Sequence, residues 1–210
     1  MASPDTFETD PKLAWGFYGH RLNLYRRTEP HDGYRILRKW GGRMSQGAFV
    51  FTSNVDGLFQ KAGLVNIVEC HGSIHRVQCM ASCSPAIWSA DDIQPDVDEQ
   101  CRLVSPLPVC PDCGALVRPN ILMFGDWNWQ SQVARAQQAK LNQWLQKAKR
   151  VLVIELGAGT NIATVRHFSQ GLGMPLIRIN PAESELGNAK GVSLKMGALA
   201  ALREIDTELK

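Results

Sequence analysis

Residues 49–72 read FVFTSNVDGLFQKAGLVNIVECHG. An apolar β-like run stops at Ser53-Asn54, a short amphipathic helical pattern follows, and a second apolar run delivers His71 between Cys70 and Gly72. Strand, helix and strand in that order predict a parallel α/β sheet, in which binding residues collect just past the strand ends. Asn54, Asp56 and His71 occupy such positions, and cysteines at metal-ligand spacing follow at once.

On the N-terminal side, residues 11–44 carry helical periodicity. Leu13, Phe17, Leu24 and Tyr25 share one pattern and Tyr34, Leu37 and Trp40 another, with Pro30 and Gly33 between them and Gly41-Gly42 as a stop. On the C-terminal side the α/β rhythm returns after Pro119. Residues 121–124, 151–156, 175–179 and 192–194 are strand-like; 129–149, 162–170 and 198–209 are helix-like. The expected fold class is α/β: a Rossmann-like, mainly parallel sheet with helices on both faces, formed by residues 1–72 and 118–210, plus a small zinc-binding insert at 73–117.

The 210 residues, 44% apolar, suffice for a sizeable core. A net charge of +3 is too mild to make nucleic acid a direct partner. Arg21, Arg26 and Arg27 read as the solvated face of a helix. No apolar run approaches the roughly 18–20 residues of a membrane span, so no membrane partner is expected. The N-terminal MASPDTFETD has no basic n-region or apolar h-region, which points to a cytoplasmic chain. Its six cysteines then read as thiolate or metal chemistry.

Residues 79–113 are proline-rich and acidic, with little periodicity. An irregular insert of that length needs a staple or a function. Cys79-x3-Cys83 and Cys110-x2-Cys113 supply the staple, since each pair spans a turn and two pairs complete a tetrahedral Zn²⁺ shell. Four thiolates leave no open position, so this zinc is expected to be structural. Gly114 suits the turn of the knuckle. Cys70 and Cys101 remain, as a small buried apolar residue and a loop thiol.

His71 is suited to general-base work because a neutral imidazole takes up a proton near physiological pH. His75, four residues on, reads as surface or knuckle packing. Gly157-Ala158-Gly159-Thr160-Asn161 follows a strand and is expected to open a helix, a place where small residues let backbone N–H groups approach phosphate. Ile162 stands where the dinucleotide fingerprint wants a third glycine, so a plain strand-to-helix turn is equally compatible. Asn180-Pro181, ending the next strand, suits a ribose contact or a turn.

Taken together these segments resemble the sirtuins, the NAD-dependent protein deacylases. TSNVDGL at 52–58 is similar to that family's TQNIDGL, with Ser53 for glutamine, and Gln60-Lys61-Ala62-Gly63 continues the match. Glu69-Cys70-His71-Gly72 resembles its ELHG motif. The four cysteines fall where the family holds zinc. Arg118-Pro119-Asn120 and Phe124-Gly125-Asp126 resemble its RPD and FGE segments, residues 157–160 its GTS turn, and Ile179-Asn180-Pro181 its IN motif. DPKLAWGFY at 10–18 resembles the helix after the family's first cofactor loop.

The resemblance implies roles. His71 is the catalytic base. Ser53, Asn54, Asp56, Gly157, Ala158, Gly159, Thr160 and Asn180 contact NAD. Ile121, Phe124 and Gly125 line the groove for an acylated-lysine protein substrate. The implied reaction converts NAD and acyl-lysine to nicotinamide, free lysine and O-acyl-ADP-ribose. Two other readings stay open: a non-catalytic zinc-stabilised module binding acyl-lysine protein, and a related NAD hydrolase or ADP-ribosyltransferase.

One departure stands out. Nothing ahead of Asp10 resembles the family's first strand, GAGxS loop and GIPDFR segment. That strand is central in the family's sheet, so open apolar edges are expected. Three origins fit: a fragment or late start codon, a natural shortened homologue without catalysis, or a strand supplied by another chain.

Overall fold

The computed structural model describes residues 3–209. The chain forms two compact units: the segment up to Glu29 with Asn54–Leu58 and Glu69–Gln138, and Pro30–Ser53 with Phe59–Val68 and the segment from Ala139 onward.

In the first unit, helix α1 (Pro4–Thr9) precedes the long helix α2 (Pro11–Arg27). Asp10 caps α2 by accepting from the Leu13 amide at 3.1 Å, and Pro11 fills the first helical position, where no amide partner is lost. Phe7 of α1 is buried and stacks on Tyr18 at 5.6 Å, in a stretch where the sequence suggested no element. Beneath α2 lies an antiparallel sheet in the order β4-β3-β5, made of Gly72–Cys79 (β3), Ile87–Ser89 (β4) and Val117–Ile121 (β5). Trp15, Leu22, Ile74, Val77 and Val117 fill the core, and the Trp15 indole donates to the Val117 carbonyl at 2.8 Å.

The irregular insert is laid onto α2 at two glycines. A Cβ on Gly16 would stand 1.9 Å from the Cys101 carbonyl oxygen, and one on Gly19 would stand 2.6 Å from Pro95 Cβ. Polar ties complete the seam. Arg102 grips the Asp10 carboxylate with two bonds of 2.9 Å, and Arg26 donates to the carbonyls of Ile93 and Ala90. Arg26 is therefore a clamp on the insert, not part of a solvated charged face; Arg21 lies over the Phe17 ring at 3.6 Å.

One strand-like expectation shifts, 121–124. The strand is β5, four residues earlier and antiparallel, because Arg118 and Asn120 are polar yet buried and break the apolar pattern.

The second unit holds the parallel sheet, β6 (Val153–Leu156), β7 (Leu176–Ile179) and β8 (Gly191–Leu194), paired in that order. Helix α5 (Gln132–Lys147) precedes it, α6 (Thr164–Gly171) joins β6 to β7, and α7 (Ala198–Glu208) closes the chain. Helix α3 (Asp32–Arg43) packs on α7 through Ile36, Trp40 and Leu202. Asp206 accepts from both Lys39 Nζ at 2.6 Å and the Trp40 indole at 2.8 Å. Helix α4 (Leu58–Lys61) connects β1 (Val50–Thr52) to β2 (Ile67–Glu69), which form a separate two-stranded sheet.

Among the described residues β6 pairs only with β7. Val153 and Gly157 direct their amides to β7, so Ile154 and Leu156, both half-buried, turn theirs to an open edge.

Candidate functional site

His71 is set by the turn between β2 and β3. Gly72 adopts φ +79°, and a Cβ there would lie 2.0 Å from the Asn120 carbonyl oxygen, so only glycine lets β3 start against β5. The His71 carbonyl accepts from the Leu122 amide at 2.9 Å, which ties the histidine to the segment containing Ile121, Phe124 and Gly125. Upstream, the buried Glu69 carboxylate is held by Arg76 at 2.6 Å and Gln137 at 3.1 Å. Burial depresses the His71 pKa below the usual imidazole value, favouring the neutral form that can accept a proton. Its neighbour Cys70 is pushed the other way, up to about 12, also by burial, so it is a thiol rather than a nucleophilic thiolate.

Asn54 and Asp56 lie on a loop of the same unit. Asp56 Oδ1 accepts from the Leu58 amide at 2.9 Å, and the Val55 carbonyl accepts from the Ile74 amide at 3.0 Å. His75 completes the brace: its Nε2 donates to the Asp56 carbonyl at 2.9 Å and its ring fills the space over Gly57. The sequence reading assigned His75 to surface or knuckle packing. Its period-two position on a strand gave no sign of the loop it supports.

The segment 121–126 is shaped by a buried ion pair. Arg118 and Asp126 side chains are 2% and 0% exposed and meet at 2.7 Å. Asp126 also accepts from the amides of Met123 and Asn128, each at 3.3 Å. Asn120 donates to Gln78 Oε1 at 2.8 Å and to the Gln130 carbonyl at 2.9 Å. The RPN and FGD motifs are thus one hydrogen-bonded device. Ile121 is buried under it, while Phe124 and Gly125 stay exposed, Phe124 at 70%.

The four cysteines meet. The Sγ atoms of Cys79, Cys83, Cys110 and Cys113 all lie within 4.8 Å of one another, with Cys79–Cys113 and Cys83–Cys110 at 3.6 Å. Thiolates about 2.3 Å from one ion make a tetrahedron with edges of roughly 3.8 Å, so the donor set fits zinc. Cys79 is held down to about 7: burial opposes ionisation, but the amides of Cys83 and Ala81 and the neighbouring thiols outweigh it. Such N–H donors favour a thiolate ligand.

In the second unit, the Gly157–Thr160 turn follows β6, but the helix does not open on it. Helix α6 begins at Thr164, after three turn residues. The Thr160 amide and hydroxyl both donate to the Glu183 carboxylate, at 2.7 and 2.9 Å. Asn180 links the turn to the loop after β7. Its Nδ2 donates to the Ala158 carbonyl at 3.1 Å, and its Oδ1 accepts from the amides of Ala182 and Glu183, each at 2.9 Å. Ser53 ends a segment of this unit and is half-buried. The expected site residues therefore fall into two groups, one in each unit. Glu183 is a polar partner of the turn that the sequence reading passed over.

A Rossmann-like α/β chain with a zinc-compatible four-cysteine module is the class these features define. The Sir2 family model matches residues 1–160, and the chain belongs to the Sir2 family. It is 32% identical over 187 residues to the NAD-dependent protein deacylase of Pyrococcus abyssi (strain GE5 / Orsay), covering 89% of this chain and 70% of that protein. It is 28% identical over 207 residues to the NAD-dependent protein deacylase of Corynebacterium glutamicum, covering 96% and 75%. Among solved structures, a complex of a Sir2 homologue with NAD superposes with a TM-score of 0.74 at 25% identity, covering 100% of this chain and 77% of that one. A Sir2 protein bound to acetylated peptide matches in fold with a TM-score of 0.72 at 21% identity, covering 97% and 81%.

No helix among the described residues is long and apolar enough to cross a membrane.

Proposed function

We propose that this chain is an NAD-dependent protein lysine deacylase that releases nicotinamide and O-acyl-ADP-ribose. The observation carrying the reading is His71: an imidazole kept neutral by burial and tied through Leu122 to the 121–125 segment. NAD is a consumed substrate in this reading. The acyl oxygen of the modified lysine attacks the ribose carbon that bears nicotinamide, and nicotinamide leaves. His71 then takes a proton from a ribose hydroxyl, and water completes the release of lysine.

Asn54 and Asp56 contact the nicotinamide end, together with Ser53. Gly157, Ala158, Gly159, Thr160 and Asn180 contact the adenosine and phosphate side. Ile121, Phe124 and Gly125 line the acyl-lysine groove and shield the reacting carbon from bulk water. Residues 73–117 serve as the zinc module, whose four thiolates leave no site for substrate. A cytoplasmic setting belongs to the same proposal, supported by the need of that module for reduced cysteines.

The test is incubation of the 210-residue chain with NAD and an acetyl-lysine peptide. Nicotinamide release coupled one-to-one with deacetylation is expected. Nicotinamide release without deacetylation would favour the hydrolase or transferase reading, and NAD binding with neither product would favour a binding module.

A further inference from the structure

Arg166 stands in the first turn of α6, and only 8% of it is exposed. Burying a guanidinium is expensive unless its donors are used. Glu155 lies 3.7 Å away, but Arg178 already grips that carboxylate at 2.5 and 3.0 Å and Ser169 also donates to it. The close contacts of Arg166 are instead two carbonyls. Its Nη2 donates to Ala158 at 2.7 Å and to Glu183 at 2.5 Å, while Nε has no partner. From α6, Arg166 holds the backbone of two loops that follow the neighbouring parallel strands β6 and β7.

The consequence follows from peptide geometry. In a trans peptide the C=O of one residue and the N–H of the next point in opposite directions. Arg166 and Asn180 both donate to the Ala158 carbonyl, drawing it toward the 180–183 loop. The Gly159 N–H is thereby turned the other way. We propose that Arg166 is a positioning residue that locks the Ala158–Gly159 peptide plane so that the Gly159 N–H donates to a phosphate of the bound dinucleotide. This rests on the reading of residues 157–160 as a cofactor contact. Both bonds leave the one Nη2 group, whose two N–H directions are fixed by the guanidinium plane; a lysine ammonium on its flexible stem offers donors without that fixed direction.

ADP-ribose binding to the full chain, followed by calorimetry, tests the assignment with Arg166→Met and Arg166→Lys. Arg166→Met is expected to weaken ADP-ribose by about tenfold or more, with Arg166→Lys in between, as loss of a fixed hydrogen-bond geometry predicts. Nicotinamide affinity should stay within about twofold, a split that general destabilisation would not produce. Equal ADP-ribose affinity in wild type and both variants overturns the role of Arg166 while leaving the cofactor reading intact. A wild-type chain that binds no ADP-ribose overturns the cofactor reading, and this inference with it. Should Arg166→Met fail to fold, the wild-type amide spectrum decides: the Gly159 signal should move on adding ADP-ribose, and an unmoved signal overturns the proposal.

Discussion

His75 Nε2 donates a 2.9 Å hydrogen bond to the carbonyl oxygen of Asp56, fixing both the tautomer of the imidazole and the height of the loop that carries Asn54 and Asp56. His75→Phe keeps a ring over Gly57 but removes the donor, at a local cost of about 1 kcal/mol. Amide hydrogen exchange in residues 54–58 should accelerate severalfold while β3 and β5 stay protected. The KM for NAD should rise more than kcat falls. Unchanged exchange in that loop would show that the bond does not hold it.

His71 has a pKa depressed by burial, which sets the sign of two pH effects. Its stability contribution is complete above the unfolded imidazole value of about 6.5 and is lost as pH falls through the lower folded value. The acid limb of kcat/KM should therefore have its midpoint below about 6.5. His71→Ala should remove that limb and most of the turnover. A midpoint at or above 6.5 in the pH–rate profile contradicts a desolvated base.

The four-cysteine cluster should bind about one zinc per chain in folded protein. Cys110→Ser removes a buried ligand, and Cys113→Ser an exposed one. Each should release the metal and sharply lower the melting temperature. Elemental analysis well below one equivalent in folded wild type would refute the site. Cys70 should be alkylated slowly by iodoacetamide, since burial holds its thiol protonated.

Asp126→Asn leaves the buried Arg118 guanidinium without its counter-charge. Breaking one side of such a pair costs about 3–5 kcal/mol. Denaturant unfolding should show a loss of that order. The double variant Arg118→Met/Asp126→Asn should recover part of it, because no unpaired charge remains. A loss under about 1 kcal/mol for the single variant would mean the pair is solvated after all.

Much of the second unit was legible because its signals are local. Apolar runs bounded by glycine and proline marked β1, β2, β6 and β7, and amphipathic spacing marked α3 and α7 there, as it did α2 in the first unit. The cysteine spacing foretold a cluster because a pair closed by one turn already converges before the rest of the chain folds. The first unit was harder to read. β5 hides behind buried Arg118 and Asn120, whose polarity is satisfied by Met123, Asp126, Gln78 and Gln130, residues distant in sequence or in and beyond the next loop.

The candidate site residues, their order and the convergence of the four cysteines were legible in residues 49–72 and their continuation, where strand ends and turn spacing act over a few residues. Tertiary structure alone decided their supports. His75 under Asp56, Glu183 on Thr160 and Arg166 beneath Ala158 are side chains meeting backbone or carboxylate across 8 to 23 residues. Such pairings carry no periodicity. They exist because a buried or half-buried donor must find an acceptor, and only the packed chain brings one within reach.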